Sequence, residues 1–527
     1  MPANRKNLNW YDITDFTPGV FGEVNLQTEQ LLIPQNGFAR MQCYYPLKQG
    51  GVRAFYATSG SLPCTGRTSG SHGSNNEASV GLFAHDAQGG ENVILVTHNS
   101  NDHKDRVYFW PGACSAGAGP WCVEESSASL GGDTLDPTDF EFFFDGTHYY
   151  YVLVRRGENK GIATITYDAT CLVASGLGTN GYWDLISAPA GGGTMTGPMG
   201  INGARLVVGD GSVGNKLWWT EEGALSFDET VTVPDEILYP HDTGAGLKSI
   251  VSMQPDTMLI GRGGAPWVQI TGDIGTSGTS REMAGDHTPG NAFQQPARVP
   301  GGIAFIENGG YIYVTDGNTF QNISAQIPAF SATLFGAQSN TGLVGPGQLT
   351  WLEGFLFAPD GKVLHWDTQS WFTLEDSTAH TAAAGKMLYY TIREDGSPVN
   401  CIQVSQGGGA QRATCGVLQT APFADKDGRN VEIREVQLFL QSYSGVGGPC
   451  AQVTCDLYNG DDVLVQTRQP EGGAIPLGRN MVRFLFSYPK DDYLSVRICT
   501  DGGTGNEAPT IERLRIGFGQ NNDILGV

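Results

Sequence analysis

The chain has 527 residues, with 31 Lys and Arg against 54 Asp and Glu, for a net charge of −23 and a pI near 4.7. Glycine supplies 74 positions, about twice its usual share, while charged residues make up 16% and aromatics 10%. That aromatic content excludes a disordered chain, the composition excludes a coiled coil, and the acidity excludes a general nucleic-acid binder, which needs clustered Lys and Arg against phosphate.

What remains is a turn-dense, all-β globular protein of two or three domains, long enough to bury a large core without disulfide staples. The first residues, MPANRKNLNWYDITDF, begin basic but have no apolar stretch behind them, so they do not read as a signal peptide. No apolar run approaches the ~18–20 residues of a membrane helix. The 10 cysteines (43, 64, 114, 122, 171, 401, 415, 450, 455 and 499) form no C-x-x-C. Their low density points to buried reduced thiols, with a few disulfides as the alternative.

In chain order, residues 1–60 form an opening arm with few hairpin signals. From there, short runs of Val, Ile, Phe, Tyr and Trp are broken by Gly, Asn and Asp, as in strands joined by tight turns. Asp-Gly pairs begin at Asp145, Asp210, Asp316, Asp360, Asp395, Asp427 and Asp501, and each provides a residue suited to positive φ. One short segment, 331–338, has the spacing for one or two helical turns.

The hairpins recur: 92–110, 141–157, 204–223, 256–273, 301–324, 347–375 and a shorter unit at 386–404. Their strand centres lie near Leu95, Tyr150, Leu206, Met258, Ile312, Leu356 and Leu388. Such a loose period, with about four strands per unit, is the signature of an irregular β-propeller of six or seven blades over 61–420. Stacked meanders without circular closure are the alternative. From 421 to 527 the pattern changes to alternating strands (436–440, 453–458, 482–486, 493–499 and 513–519), which read as a β-sandwich or jelly roll.

A search for chemistry yields little. There is no G-x-S-x-G, P-loop, H-E-x-x-H or Rossmann fingerprint, so no catalytic residue, metal ligand or cofactor is assigned and the chain reads as a non-enzyme. His98 and His103 are the closest histidine pair and read as solvated. The stretch 425–435 resembles part of a calcium loop, but Phe423 stands where the first carboxylate belongs and Glu435 is displaced by one, so a hairpin turn fits better. Asn322-Ile-Ser324 is a lone glycosylation sequon of a kind that chance supplies at this length. Trp218, Trp219, Trp351, Trp366 and Trp371 could stack on sugars, but within strands they fit inter-blade core better.

The order of parts, together with the arm, points to a family. The arm reads WYDITDFTPGVFGEVN (10–25) and then IPQNGFARMQCYYPLKQGGVRAF (33–55). Asp15, Phe16, Gly19 and Val20, then Cys43, Tyr45 and Pro46, then Gly50, Gly51, Val52 and Arg53 resemble the opening of tail nozzle proteins (tail tubular protein B type) of short-tailed bacteriophages. LWWTEEGALSFDE (217–229) and GGIAFIENGGYIYVTDGNTFQNIS (301–324) are similar to blade strands of the same proteins.

The resemblance implies a virion protein, assembled in the cytoplasm of the bacterial host. It implies a homo-oligomeric ring, sixfold in that family, that makes the distal tail tube and passes DNA during ejection without binding it specifically. An adjacent tail adaptor or tube protein is then the neighbour, with tail fibres or a tip or plug protein as further partners. No clear insertion for docking fibres stands out. An acidic lining repels phosphate, which suits a conduit, although which acids face a lumen is not legible. Trp10, Phe16, Phe21, Phe38, Tyr44 and Tyr45 give the arm more aromatic area than it could bury alone. They are therefore the expected subunit or partner contacts, with closure of the propeller inside its own subunit as the alternative. The competing function is a propeller that binds or hydrolyses glycans, its terminal sandwich acting as a carbohydrate-binding module. A receptor-binding tip is a third.

Overall fold

The computed structural model describes residues 8–20, 37–61, 77–87, 90–99, 104–110, 121–124, 137–146, 149–155, 162–167, 184–186, 198–209, 217–227, 247–262, 265–276, 278–283, 287, 294–307, 309–330, 347–376, 378–392, 400–404, 412–413, 415–441, 452–470, 481–487, 489–501, 508–519, 522 and 524. Among them there is no α-helix, and no helix long and apolar enough to cross a membrane. The segment 331–338 lies outside the described residues.

Seven small antiparallel sheets follow one another along the chain. Blade 1 is Glu77–Ala87, Gly90–Asn99, Lys104–Trp110 and Trp121–Glu124; blade 2 is Pro137–Phe144, Tyr149–Arg155, Ile162–Tyr167 and Asp184–Ile186. Blade 3 shows three strands, Met199–Asn202, Arg205–Gly209 and Leu217–Trp219. Blade 4 is Leu247–Gln254, Thr257–Arg262, Ala265–Thr271 and Thr279–Glu282; blade 5 is Ala297–Val299, Gly302–Ile306, Ile312–Thr315 and Phe320–Asn322. Blade 6 is Thr350–Leu352, Phe355–Phe357, Lys362–His365 and Ser370–Thr373. Each of the seven strand centres read from the sequence falls in a different blade.

Closure comes from the start of the chain. Blade 7 takes Thr378–Ala384, Met387–Ile392 and Asn400–Gln403, and its fourth strand is Thr58–Ser61, paired with Asn400–Gln403. The first strand of blade 7 packs on the first strand of blade 1, completing the circle. Leu82, Val93 and Leu95 of blade 1 share a core with Ala382, Ala384 and Tyr389 of blade 7. An N-terminal strand inside the last blade ties the ends of the ring together, so opening it costs a full row of ladder bonds. The protein is therefore a closed, seven-bladed β-propeller carrying a β-sandwich.

Turn chemistry follows the Asp-Gly pairs where they are described. Gly146, Gly317, Gly361 and Gly428 all have positive φ. At Asp316 the carboxylate accepts from the backbone N–H of Asn318 (2.8 Å) and Thr319 (2.7 Å), and these two bonds, Thr319 first, hold its pKa below the ordinary carboxylate value. Asp210 and Asp395 lie outside the described residues.

The terminal sandwich differs from the expected 421–527 unit. One of its sheets runs in the order Tyr44–Pro46, Val52–Ala54, Ile511–Phe518, Val431–Leu440 and Met481–Leu485; Asn9–Ile13 also pairs with Ile511–Phe518, and Lys490–Asp491 with Val431–Leu440. The facing sheet runs Phe38–Gln42, Cys415–Thr420, Leu494–Asp501, Gln452–Asn459 and Leu464–Arg468. Four strands of the supposed arm are thus sandwich strands, and a fifth closes the propeller. Phe38–Gln42 also pairs in parallel with the outer strand of blade 6 at Gln42 and Thr373, so one nine-stranded sheet spans both parts. Long-range pairing of this kind leaves no local trace, because alternation reports a buried face but not its partner.

Candidate functional site

Several of the arm residues quoted for the resemblance meet at the seam between blade 6 and the sandwich, while Gly51 and Val52 lie within the sandwich. Asp15 accepts from the N–H and hydroxyl of Thr17 (2.9 and 2.6 Å), and this local turn brings Gly19 N–H back to Phe16 O. Gly19 has φ +65°, and a Cβ there would lie 2.9 Å from Trp371 O, so glycine is required both for the turn and for close approach to blade 6. Val20 N–H donates to Trp371 O (3.0 Å), while Ser370 Oγ donates to Thr17 O. Cys43 has φ +55°; its N–H donates to Thr373 O and its carbonyl accepts from Phe55 N–H, both at 2.8 Å. Gly51, φ +81°, sits against Ile511 O at 2.6 Å from its would-be Cβ.

An aromatic cluster fills the seam. Phe16 stacks on Phe38 at 5.3 Å, and the Tyr45 ring meets Phe355 (5.3 Å) and His365 (5.1 Å) edge-on. Phe55 lies 5.1 Å from both Phe355 and Phe372. Burial holds the His365 imidazole below its ordinary pKa, so it is neutral near pH 7. Arg412 is 4% exposed beside this cluster. It donates to Tyr45 OH, Ala54 O and Tyr56 OH and lies 3.8 Å over the Tyr56 ring, so π-faces and neutral oxygens support its charge.

These positions correct the expectation for the arm aromatics. Phe16, Phe38 and Tyr44 are 0% exposed and Tyr45 is 6% exposed, all inside the chain's own core. Tyr44 OH reaches Thr500 Oγ1 (2.9 Å) and Pro509 O (3.2 Å). The area they were expected to offer another subunit is consumed at home, because the arm strands enter the sandwich. Trp10 is half-buried on the sandwich's outer face, with the Arg515 guanidinium 4.5 Å from its ring. Phe21 lies outside the described residues.

A second cluster sits near the propeller axis, on the innermost strand of blade 2. Asp139 accepts from Phe140 N–H and from Met199 N–H of blade 3, both at 2.8 Å, and so anchors one blade to the next. Glu141 stands two residues on, on the same face of the strand. Part of its surface stays accessible, yet burial is the main cause that raises its pKa to about 8; the Asp139 charge adds to this and Arg298 opposes it. On the opposite face Phe140 stacks on Phe83 (4.7 Å) and Phe142 on His85 (3.8 Å), joining blades 1 and 2. The pair is one acid anchored by two amides and one acid protonated at neutral pH. Sequence reading missed it, since the signal lies in three blades meeting.

The remaining candidates resolve into structure. Trp371 is 1% exposed and donates from Nε1 to Ile323 O (2.9 Å), fastening blade 6 to blade 5. Trp218 packs with Phe143, Met199 and Leu206 between blades 2 and 3; Trp219 packs against blade 4 apolar residues, and Trp351 meets Trp366 edge-on. Asp425 accepts from Asp427 N–H and Asn522 Nδ2, while Glu435 faces Arg483, so the calcium-like stretch is a turn entering a strand. Ser324 of the sequon is buried, its hydroxyl accepting from Ile312 N–H. The side chains of His98 and His103 lie outside the described residues. Cys43, Cys401, Cys455 and Cys499 are thiols, and burial is the main cause raising each, Cys43 to about 12.

No protein-family model matches the chain, and no curated protein does. Among solved structures it is similar to BamB from Moraxella catarrhalis (13% identity, TM-score 0.32), covering 66% of this chain and 95% of that one. It is also similar to YCF48 bound to D1 peptide (12% identity, TM-score 0.31), covering 54% of this chain and 90% of that one. Both are β-propeller proteins. Likeness at this level carries nothing about function, and the propeller stands on the sheet pairing above.

Proposed function

We propose that this protein is a structural virion component, a tail nozzle subunit of a short-tailed bacteriophage. In this reading it assembles into a ring, sixfold by family resemblance, that forms the distal tail tube and conducts DNA during ejection without enzymatic activity. The observation that carries the proposal is the seam. Of the arm residues that carry the resemblance, Gly19, Val20 and Cys43 meet the backbone of blade 6 and Tyr45 packs on its Phe355 and His365, which fastens the sandwich to the propeller, while Gly51 and Val52 lie against Ile511 inside the sandwich. A ring under the load of moving DNA needs subunits whose domains do not hinge, and a shared sheet with a buried aromatic seam supplies that rigidity.

Charge supports the same reading. Six copies at −23 each would carry −138 before counterions screen it. A wall of that sign repels phosphate and lets DNA slide instead of holding it.

The test is the mass of the purified protein by size-exclusion chromatography with light scattering, alone and mixed with a tail adaptor ring. Growth to about six chains supports the nozzle. A protein that never joins the adaptor ring overturns it. The second reading, a glycan-active propeller, draws on Glu141 with its raised pKa beside Asp139. Asp139, however, is committed to two amides, as suits an anchor. Glycan hydrolysis abolished in Glu141→Gln would favour that reading.

A further inference from the structure

Blade 4 holds two polar side chains, Ser249 and Trp267, that are both 0% exposed, and neither Ser249 Oγ nor Trp267 Nε1 has a hydrogen-bond partner among the described residues. Folded proteins leave few such atoms, because an unmet buried donor or hydroxyl is costly. The sheet register brings these two together. Ser249 lies opposite Gly261, and opposite residues of an antiparallel pair share a face. On the other side of the same strand Ile260 pairs with Val268 and Arg262 with Ala265, so Pro266 and Trp267 together stand opposite Gly261. Ser249, Gly261 and Trp267 thus form one row across the blade.

The row faces blade 5. Val251, two residues after Ser249, and Trp267 share a core with Ile303 and Phe305 of blade 5, whereas Ile250 and Val268 belong to the core shared with blade 3. The Trp267 ring meets Phe305 edge-on at 4.7 Å. Two features open space in this layer. Gly261 puts no side chain between Ser249 and Trp267. Both ladders also shift register here, between Leu247 and Ser249 on one side and between Ile260 and Arg262 on the other, so two bulges flank one strand. A bulge takes a residue out of the ladder and turns its backbone polar groups toward other partners.

We propose that this row is an internal solvent site, where one buried water bridges Ser249 Oγ and Trp267 Nε1 between blades 4 and 5. The chemistry selects water over other occupants. The indole N–H can only donate and the hydroxyl can donate or accept, so the water accepts from Trp267 and shares a second bond with Ser249. A buried water wants about three polar partners, and the bulged backbone beside Gly261 supplies the third. An ion would find no countercharge: Val251, Leu259, Ile303 and Phe305 are apolar, and Arg262 is committed to Glu282 (2.7 Å) and Pro266 O (2.9 Å). A larger ligand would have no way in, since Leu259, Trp267 and Phe305 are all 0% exposed. The water acts as a staple between neighbouring blades, and the proposal goes beyond the nozzle reading without resting on it.

The test joins a crystal structure of the full chain, at a resolution that orders internal solvent, to urea unfolding of Ser249→Ala, Trp267→Phe and the double variant. A solvent peak is expected within about 2.7–3.2 Å of both Ser249 Oγ and Trp267 Nε1. Ser249→Ala should lower the folding equilibrium constant about fivefold or more, because the water and the indole lose a partner. Once Trp267→Phe has removed the other end of the bridge, the same change should cost little, so the two losses are not additive. No peak, or a peak touching only one of the two atoms, overturns the proposal. So does a Ser249→Ala variant as stable as the wild type, which marks a dry site, or an equal loss in both backgrounds. The wild-type peak decides the matter even where Trp267→Phe fails to fold.

Discussion

Replacing Glu141 by Gln should change how stability depends on pH. The native carboxyl holds its proton to about pH 8, against an ordinary value of 4.5, chiefly because it is buried. Between those values the native chain keeps a proton that the unfolded chain has released, so this group's contribution to stability falls as pH rises and is fully lost above 8. Each pH unit of that interval is worth about 1.4 kcal/mol, or about 5 kcal/mol in all. Water reaching the partly accessible carboxyl reduces this to about 2–4 kcal/mol.

Glutamine keeps the shape and does not titrate. Urea midpoints measured from pH 4 to pH 9 should nearly coincide for Glu141→Gln and wild type at the acid end, then separate with the variant more stable at pH 9. All other titrating groups cancel in the difference. Parallel midpoint curves, or a variant less stable at pH 9, would show that Glu141 is ionised near neutrality and refute the account of the axis.

Two further substitutions test the packing. Gly51→Ala puts a Cβ at positive φ against Ile511 O, whereas Gly146→Ala meets positive φ with nothing within 4 Å. The first should cost about 2–4 kcal/mol and the second about 1 kcal/mol; equal losses in chemical denaturation would mean that the approach of Gly51 to Ile511 inside the sandwich is not close-packed. Trp371→Phe removes the donor to Ile323 O between blades 5 and 6. It should cost about 1–3 kcal/mol and speed hydrogen exchange in both blades; an effect confined to blade 6 would argue against that coupling.

Much of the fold is legible in the sequence because local physics writes it there. Asp316-Gly317 and Asp360-Gly361 sit where positive φ is needed and announce hairpin turns without reference to the rest of the chain, whereas the turn at Asp427-Gly428 links strands of two different sheets rather than closing a hairpin. Strand centres from Leu95 to Leu388 recur because each blade must bury a face against the next, and seven centres mark seven blades. The alternation at Val436–Leu440 and Arg513–Phe518 likewise announces strands, although Val431–Leu440 is buried on both faces, Gln437 included, where alternation promised one wet face.

Tertiary structure alone decided which distant segments meet. Asn9–Ile13 pairs with Ile511–Phe518, and Thr58–Ser61 completes blade 7, across separations that periodicity does not encode. For that reason Phe16, Phe38, Tyr44 and Tyr45 read as unburied aromatics although they are core. Asp139 and Glu141 look like two acids among 54 until burial and their neighbours separate them, one held by Phe140 and Met199 amides and the other kept protonated. Local turns and alternation are properties of a few neighbouring residues. Sheet partners, seam packing and shifted pKa values arise when the whole chain excludes water at once.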